Sequence, residues 1–183
     1  MNGHADVIGG VASCKNLDDF KLMKLFRKDF GSLMAPMDAF LCIRGIRTLP
    51  LRMKIHMENG IKIAKFLESH PKVKKVNHPW LESFPGHEIA MKQMKGCGST
   101  FSFEMNSFEA AKKLMECLKI CTLAVSLGTL DTLIEHPASM THAAVSEELM
   151  KKQGLTRELV RISVGLENVD DIIEDLKQAL EQC

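Results

Sequence analysis

Arg161 is the residue best suited to bind a small anion, and it begins residues 161–167 (Arg-Ile-Ser-Val-Gly-Leu-Glu). Its planar guanidinium can hold a carboxylate through two parallel hydrogen bonds, which a lysine cannot reproduce. Two other polar segments precede it, residues 126–128 (Ser-Leu-Gly) and residues 136–142 (His-Pro-Ala-Ser-Met-Thr-His). The three segments together predict a site for the carboxylate of an amino acid. The alternative is that Arg161 is a strand-end arginine paired with an internal acid.

Histidine and cysteine could also do chemistry, but their spacing favours simpler explanations. His136 and His142 are six residues apart, which fits neither one helix face nor a short metal-ligand motif. Cys97 lies between two glycines, without a recognisable histidine and asparagine arrangement to activate it. The six cysteines include no Cys-x-x-Cys pair, so reduced thiols are expected. Neither a metal site nor a cysteine nucleophile is predicted.

The composition is typical of a globular protein. The chain has 183 residues, 45% of them hydrophobic and 26% charged, which suits one domain or one domain with part of another. The formal net charge of +1 predicts no binding to nucleic acid or to an anionic membrane. No apolar run reaches the ~20 residues that cross a bilayer, and residues 1–6 do not resemble a signal peptide. A cytoplasmic location is therefore expected.

The elements of the first seventy residues are predicted to be mainly helical. Residues 7–13 are short, apolar and interrupted by glycine, which predicts a strand. The apolar spacing over residues 17–29 predicts a helix. Pro36 suits the first position of a second helix, which runs to about residue 48. Pro50 is expected to break the pattern before a long amphipathic helix over residues 51–69.

The rest of the chain alternates between predicted strands and helices. The predicted strands are residues 73–77, 100–104, 123–126 and 159–164, and the predicted helices are residues 87–94, 107–118, 146–152 and 169–182. Strands separated by helices predict a small two-layer α/β sandwich. The glycines lack the spacing of a dinucleotide-binding fingerprint, so a doubly wound nucleotide-binding sheet is not expected.

Seven segments resemble one enzyme family in order and spacing. They are residues 3–10 (GHADVIGG), 44–53 (RGIRTLPLRM), 78–79 (HP), 84–87 (FPGH), 126–128, 136–142 and 161–167. Together they resemble the C-terminal part of the pyridoxal-phosphate-dependent enzymes of cysteine and methionine metabolism, the group of cystathionine γ-lyase, cystathionine γ-synthase and methionine γ-lyase. The apolar Val125 before Ser126, and the sequence of residues 136–142, are more similar to the methionine-cleaving members.

The resemblance also implies a fold and a domain organisation. Residues 1–50 would be the tail of the large cofactor-binding domain, which is aspartate-aminotransferase-like (fold type I). Residues 51–183 would be the small C-terminal domain, a two-layer α/β sandwich with a mainly antiparallel sheet. Members of the family assemble as homotetramers that share active sites between subunits, so a homo-oligomer is expected.

The activity that the resemblance implies is the γ-elimination of methionine to methanethiol, ammonia and 2-oxobutyrate, with pyridoxal 5'-phosphate supplying the electron sink. Arg161 would bind the substrate carboxylate, and Ser126 would support it through its hydroxyl or main chain. Val125 would line the pocket for the thioether, and Leu127 is a further substrate-binding residue of the same segment. Lys28 and Asp29 resemble a charged pair on the rim of the active site.

The sequence departs from the family in lacking the groups that hold the cofactor. The Schiff-base lysine of the family lies in a Ser/Thr-x-Thr-Lys segment a few residues before the Gly-His motif, which is Gly3-His4 here. The acid that pairs with the pyridine nitrogen, the stacking aromatic and the phosphate ligands are also missing. The resemblance therefore implies that the chain is inactive without an N-terminal half, supplied by the same protein or by a homologous subunit.

Two alternatives stay open. One is a cystathionine γ-lyase or γ-synthase-like enzyme, because the sulfur amino acid that is preferred is not fixed by these motifs. The other is a truncated, non-catalytic paralogue that acts as a binding module, with an exposed apolar surface that promotes association.

Overall fold

The computed structural model describes residues 2–183, which divide into two compact units. The first unit ends at Leu49, and the second is Pro50–Cys183. The first contains helices α1 (Leu17–Phe30) and α2 (Pro36–Arg47). The second contains a five-stranded sheet and the remaining helices.

Helix α1 is fixed by its ends rather than by burial. The side chain of Asn16 accepts a hydrogen bond from the N–H of Asp19 at 2.8 Å, which caps the first turn. The helix ends at Gly31, whose φ of 88° lies in the left-handed region that glycine favours. No residue of α1 is buried, and its apolar side chains, Phe26 among them, are exposed.

The predicted break between two helices occurs, because α2 ends at Arg47 and helix α3 spans Leu49–Glu68. Pro50 is the second residue of α3, however, and does not precede the helix as predicted. The first four N–H groups of a helix have no partner within it, so a proline in the first turn loses no hydrogen bond. The buried residues of α3 include Ile63, Ala64 and Leu67, which form one stripe of an amphipathic helix.

The sheet is mixed. Its strands are β1 (Val73–Asn77), β2 (Thr100–Met105), β3 (Thr122–Leu123), β4 (Leu133–Glu135) and β5 (Leu159–Ser163). Their order is β1-β2-β5-β4-β3, with antiparallel pairing except between β3 and β4, which are parallel. The α/β class that was predicted is confirmed. A mainly antiparallel sheet was expected, and the observed sheet is mixed, with three antiparallel pairings and one parallel pairing.

One face of the sheet packs on helices. The helices of this half are α4 (His87–Gln93), α5 (Phe108–Cys117), α6 (Glu147–Lys152) and α7 (Val169–Glu181). Side chains of α3, α5 and α7 join the inward residues of the strands in one buried cluster, which includes Phe103, Met105, Val160, Ile162, Leu114 and Leu176. Because successive strand residues point to opposite faces, the residues between these lie on the other face of the sheet.

Two predictions about strands fail. Residues 7–13 form no strand, and Ile8 and Val11 are 97% and 74% exposed, so neither is covered as a core strand residue would be. The strand predicted over residues 123–126 is the shorter β3, and β4 was missed. A strand of three residues is too short to show the alternation on which a sequence-based prediction depends.

Helices long and apolar enough to cross a membrane do not occur between residues 2 and 183.

Candidate functional site

The second face of the sheet carries a row of polar side chains that runs across four strands. Arg161 in β5 lies directly between Ser102 in β2 and Glu135 in β4 in the strand register. Asn77 in β1 is paired with Ser102, and its amide donates a hydrogen bond to the Ser102 hydroxyl at 3.2 Å. These residues alternate with the core residues of the same strands, so the row lies opposite the hydrophobic core.

Arg161 is the most connected residue of this row. Its Nη1 atom forms an ion pair with Oε1 of Glu135 at 2.7 Å. Its Nη2 atom donates to the carbonyl oxygens of Ser126 at 2.9 Å and Val125 at 3.3 Å. The side chain keeps 22% of its surface exposed. Arg161 therefore lies beside Ser126, as the carboxylate-site prediction requires, and it is also paired with an internal acid, as the alternative explanation requires. Binding of a carboxylate by Arg161 stays a prediction.

Glu135 was not identified from the sequence as a site residue. Its side chain is 1% exposed, so the carboxylate is desolvated and needs a cation. The Thr141 hydroxyl donates to the same Oε1 atom at 3.3 Å, while Oε2 has no hydrogen-bond partner among the described residues. The only sequence signal was an acid at the end of an apolar run just before residues 136–142. Strand pairing, which no local pattern encodes, brings Glu135 to Arg161.

The loop that carries Val125 and Ser126 is tied to strand β5. Gly128 has a φ of 70°, a left-handed conformation that glycine adopts without strain. Its N–H donates to the hydroxyl oxygen of Ser163 at 2.8 Å, and Thr100 donates to the same oxygen at 3.1 Å. Ser163 thus holds in place the turn that sets the positions of the carbonyl groups facing Arg161.

A second set of bonds fixes the chain after β5. Glu167 accepts hydrogen bonds from the N–H of Thr132 at 2.5 Å and from its hydroxyl at 2.8 Å. Gly165 donates to the Thr132 hydroxyl at 2.9 Å. A Cβ atom at Gly165 would collide with the carbonyl oxygen of Leu130, so only glycine fits. Within residues 161–167, therefore, Ser163, Gly165 and Glu167 hold the surrounding chain in place, and Arg161 is the candidate binding group.

Asp175 in α7 supports the start of β3 from the helical layer. Its carboxylate accepts the N–H groups of Lys119, Ile120 and Cys121 at 2.8, 2.8 and 3.0 Å. Burial raises the pKa of Asp175, but these N–H groups and the amide of Gln178 outweigh it and hold the pKa below its ordinary value. Burial of Cys121 itself, together with the nearby Asp175 charge, raises the pKa of its thiol. This cysteine therefore stays protonated and unreactive.

The structure brings together some of the predicted substrate-binding residues. Val125, Ser126 and Leu127 form one exposed stretch beside Arg161, and the exposed fractions of Val125 and Leu127 are 55% and 54%. Ser126 contacts Arg161 through its carbonyl oxygen. Lys28 and Asp29 belong to the first unit, at the end of α1, where their charged atoms are 4.0 Å apart and both side chains are exposed.

The histidines of residues 136–142 have structural partners. His136 is 2% exposed, and its two ring nitrogens lie 2.7 Å from the Ser139 hydroxyl and 2.7 Å from the Arg157 carbonyl oxygen. The Nδ1 atom of His142 lies 3.0 Å from the hydroxyl of Thr141. Groups of three or more potential metal ligands do not occur among residues 2–183.

Comparison with known proteins assigns the chain to an enzyme family. The sequence model of the family described as "Cys/Met metabolism PLP-dependent enzyme" matches residues 1–181. The chain belongs to this family. The family predicted from the sequence motifs is thereby confirmed, and its cofactor is pyridoxal 5'-phosphate, as predicted.

The relatives include enzymes named as methionine lyases and enzymes named as cystathionine lyases. The chain is 51% identical to the L-methionine gamma-lyase of Fusobacterium nucleatum subsp. polymorphum, over 100% of this chain and 47% of that protein. It is 41% identical to the cystathionine gamma-lyase of Dictyostelium discoideum, over 100% of this chain and 48% of that protein. Among solved structures, the cystathionine gamma-lyase of Lactobacillus plantarum complexed with L-serine superposes with a TM-score of 0.92 at 39% identity, over 99% of this chain and 48% of that one.

The chain thus spans about half the length of the curated relatives it matches, and it corresponds to a C-terminal part of such an enzyme. The family function is that of a pyridoxal-phosphate-dependent lyase acting on sulfur amino acids.

The described residues do not fit the cofactor by themselves. The cofactor of this family needs an amine held in a partly desolvated site, because burial lowers a lysine pKa enough to make it a nucleophile. Among residues 2–183 every lysine except Lys72 is exposed. Lys72 donates instead to the carbonyl oxygens of Leu180, Glu181 and Cys183 at 2.9, 3.1 and 2.8 Å. That the Schiff-base lysine lies outside this chain stays a prediction.

Proposed function

We propose that this chain is the C-terminal portion of a pyridoxal-phosphate-dependent γ-elimination enzyme that cleaves methionine to methanethiol, ammonia and 2-oxobutyrate. Its part is to bind the substrate carboxylate. The observation that carries the proposal is the placement of Arg161, a partly exposed guanidinium held against the Val125 and Ser126 carbonyls on the polar face of the sheet. The 51% identity with a methionine gamma-lyase supports the choice of substrate.

The partners of the two terminal nitrogens of Arg161 differ in how readily a ligand can replace them. Nη1 is held by the buried Glu135, while Nη2 is held by two carbonyl oxygens in an exposed loop. A carboxylate is a stronger acceptor than a neutral carbonyl, because hydrogen bonds between charged partners are roughly twice as strong. The substrate carboxylate therefore replaces the carbonyl groups of Val125 and Ser126 on Nη2, and the bond to Glu135 remains.

Val125 supports methionine over cystathionine as the substrate. Its side chain is 55% exposed next to the Arg161 contact and offers an apolar surface to a thioether. The amino acid half of cystathionine beyond the sulfur carries two further charges, which an apolar surface does not satisfy. The relatives with cystathionine lyase names support the alternative that cystathionine is cleaved.

The exposed apolar surface of the first unit supports the proposal that another polypeptide segment covers it. Its helices leave many large apolar side chains exposed, including Phe20, Phe26, Phe30 and Phe40 at 52%, 50%, 80% and 58%. Patches of this kind mark surfaces that other protein segments cover. We assign residues 1–50 to the tail of the large cofactor-binding domain and residues 51–183 to the small C-terminal domain. Lys28 and Asp29 stay predicted rim residues, and a homotetramer stays the predicted assembly.

The experiment combines this chain with a polypeptide that corresponds to the remaining half of a methionine γ-lyase and contains its lysine. Size-exclusion chromatography reports complex formation, and thiol release from methionine and from cystathionine reports activity. The expected result is a complex that releases more thiol from methionine than either chain alone. A complex without turnover contradicts the enzyme proposal and favours the non-catalytic binding module, as does a chain that forms no complex and stays folded alone.

A further inference from the structure

The carboxylate of Glu135 contacts the guanidinium of Arg161 through Nη1. We propose that Glu135 is a positioning residue, which fixes one nitrogen of Arg161 so that the exposed side of the guanidinium faces the substrate carboxylate. This inference rests on the proposed function of Arg161, but its central claim, that Glu135 sets the orientation of Arg161, is measurable without any activity.

The bond between the two residues is built into the sheet. Glu135 and Arg161 are direct cross-strand partners of the antiparallel pair β4 and β5, so their backbones are held together by the ladder. The Glu135 side chain is 1% exposed and the pair is 2.7 Å long. Withdrawing the carboxylate from Arg161 would leave a buried charge without a counter-ion, which is strongly unfavourable. The substrate carboxylate therefore does not displace Glu135 from Arg161.

The remaining bonds of Arg161 have the opposite character. Its Nη2 atom contacts only neutral carbonyl oxygens, those of Val125 and Ser126, and both residues are exposed. One end of the guanidinium is thus held by a buried charge and the other by exchangeable neutral acceptors. A ligand can displace the second set without disturbing the first.

Glu135 also connects the site to residues 136–142. The Thr141 hydroxyl donates to the same oxygen, Oε1, that receives Arg161. Of the three segments that the sequence singled out, residues 126–128 and 161–167 meet through Arg161, and residues 136–142 join them through Glu135. This convergence is the second reason to assign Glu135 to the site rather than to general stability.

The first test measures the rotation of the Arg161 guanidinium by ¹⁵N NMR in the chain alone. In the native protein we expect separate, slowly exchanging Nη signals. Glu135→Gln keeps the shape and one acceptor but removes the charge, so exchange should become faster by about tenfold, because charge-assisted hydrogen bonds are roughly twice as strong as neutral ones. Glu135→Ala should abolish the separate signals and shift the amide signals of Val125 and Ser126.

The matched control is Glu104→Gln. Glu104 is an acid in β2 on the same face of the sheet, 13% exposed, and it pairs with Lys74 rather than with Arg161. It should leave the Arg161 signals as in the native protein. If Glu135→Ala does not fold, the rate of Arg161 Nη exchange in Glu135→Gln tests the proposal. Equal Arg161 exchange in native protein, Glu135→Gln and Glu104→Gln overturns the proposal, as does a freely rotating guanidinium in the native protein.

The second test uses the complex with the complementary half. Replacing a residue that orients a substrate-binding arginine should change KM more than kcat, because the substrate carboxylate is bound equally in the ground state and the transition state. We expect Glu135→Gln to raise the KM for methionine by about tenfold with kcat within about twofold, and Glu104→Gln to change neither. A fall in kcat at unchanged KM argues against a positioning role. If the native complex is inactive, the proposed function fails, while the NMR result still decides whether Glu135 orients Arg161.

Discussion

The hydroxyl oxygen of Ser163 accepts the backbone N–H of Gly128 at 2.8 Å, on the same face of β5 as Arg161 two residues earlier. One strand therefore supplies both the guanidinium and the anchor for the loop that this guanidinium contacts. Any displacement of β5 moves the two together, which preserves the distance between Arg161 and the carbonyl groups of Val125 and Ser126.

Replacing Arg161 with lysine should weaken substrate binding in the assembled enzyme. Lysine keeps the charge but loses the planar pair of donors, and hydrogen bonds to charged groups contribute about 1.5–3 kcal/mol, so the KM for methionine should rise roughly 10- to 100-fold. Steady-state kinetics measure it. Arg157→Lys is the control, because Arg157 is exposed and pairs with Glu147 in α6. An unchanged KM in Arg161→Lys would remove Arg161 from the site.

Replacing Val125 with glutamate should change substrate preference. The new carboxylate gives cystathionine a polar partner and makes the surface less favourable for the methionine thioether, so the ratio of kcat/KM for cystathionine to that for methionine should rise about tenfold. The exposed Leu149 of α6 provides the control variant Leu149→Glu. An equal loss on both substrates would show that the change only damages the site.

Replacing Gly165 with alanine should destabilise the second unit. The added Cβ collides with the Leu130 carbonyl oxygen, and overpacking of this kind costs about 1–3 kcal/mol in the free energy of unfolding. Urea denaturation followed by circular dichroism gives the value. Gly10→Ala is the matched control, because a Cβ at Gly10 meets nothing within 4 Å. Similar stabilities of the two variants would show that the residue 130 loop moves aside freely.

The stability of the second unit should fall in acid because of Asp175. Its folded pKa lies below the ordinary 3.8, so the folded state binds fewer protons than the unfolded state in the window between the two values. The contribution is fully present above the unfolded pKa, and it is lost as pH falls through 3.8 toward the folded pKa. Thermal unfolding from pH 6 down to about pH 2.5 covers this window.

Asp175→Asn separates this contribution from those of other acids. The amide cannot accept three N–H groups as a carboxylate does, so the variant should lose about 1.5–3 kcal/mol near neutral pH and show a flatter acid decline. Asp171→Asn, at an exposed position in the first turn of α7, serves as the control. An acid decline of equal steepness in Asp175→Asn and the native chain would assign it to other groups.

Local sequence predicted most helices because their signals lie within a few residues. The caps Asn16, Ser107 and Asn168 each accept a hydrogen bond from an N–H two or three residues later, as their residue types favour. The family motifs were equally local, and they led to the correct family and cofactor. The short strands failed for the same reason. β4 has only three residues, and its antiparallel partner β5 lies more than twenty residues later, so no local pattern indicates a strand there.

The amino-acid sequence by itself determined the candidate binding group, Arg161, and the segments that surround it. It also contained Glu135, but gave no reason to connect the two. Only the tertiary structure decided this, because the register of β4 against β5 places the residues opposite each other on the polar face of the sheet. Register is set by the burial of Ile134 and Ile162 on the other face. The packing of the core, rather than any motif, therefore selects the partner of the arginine.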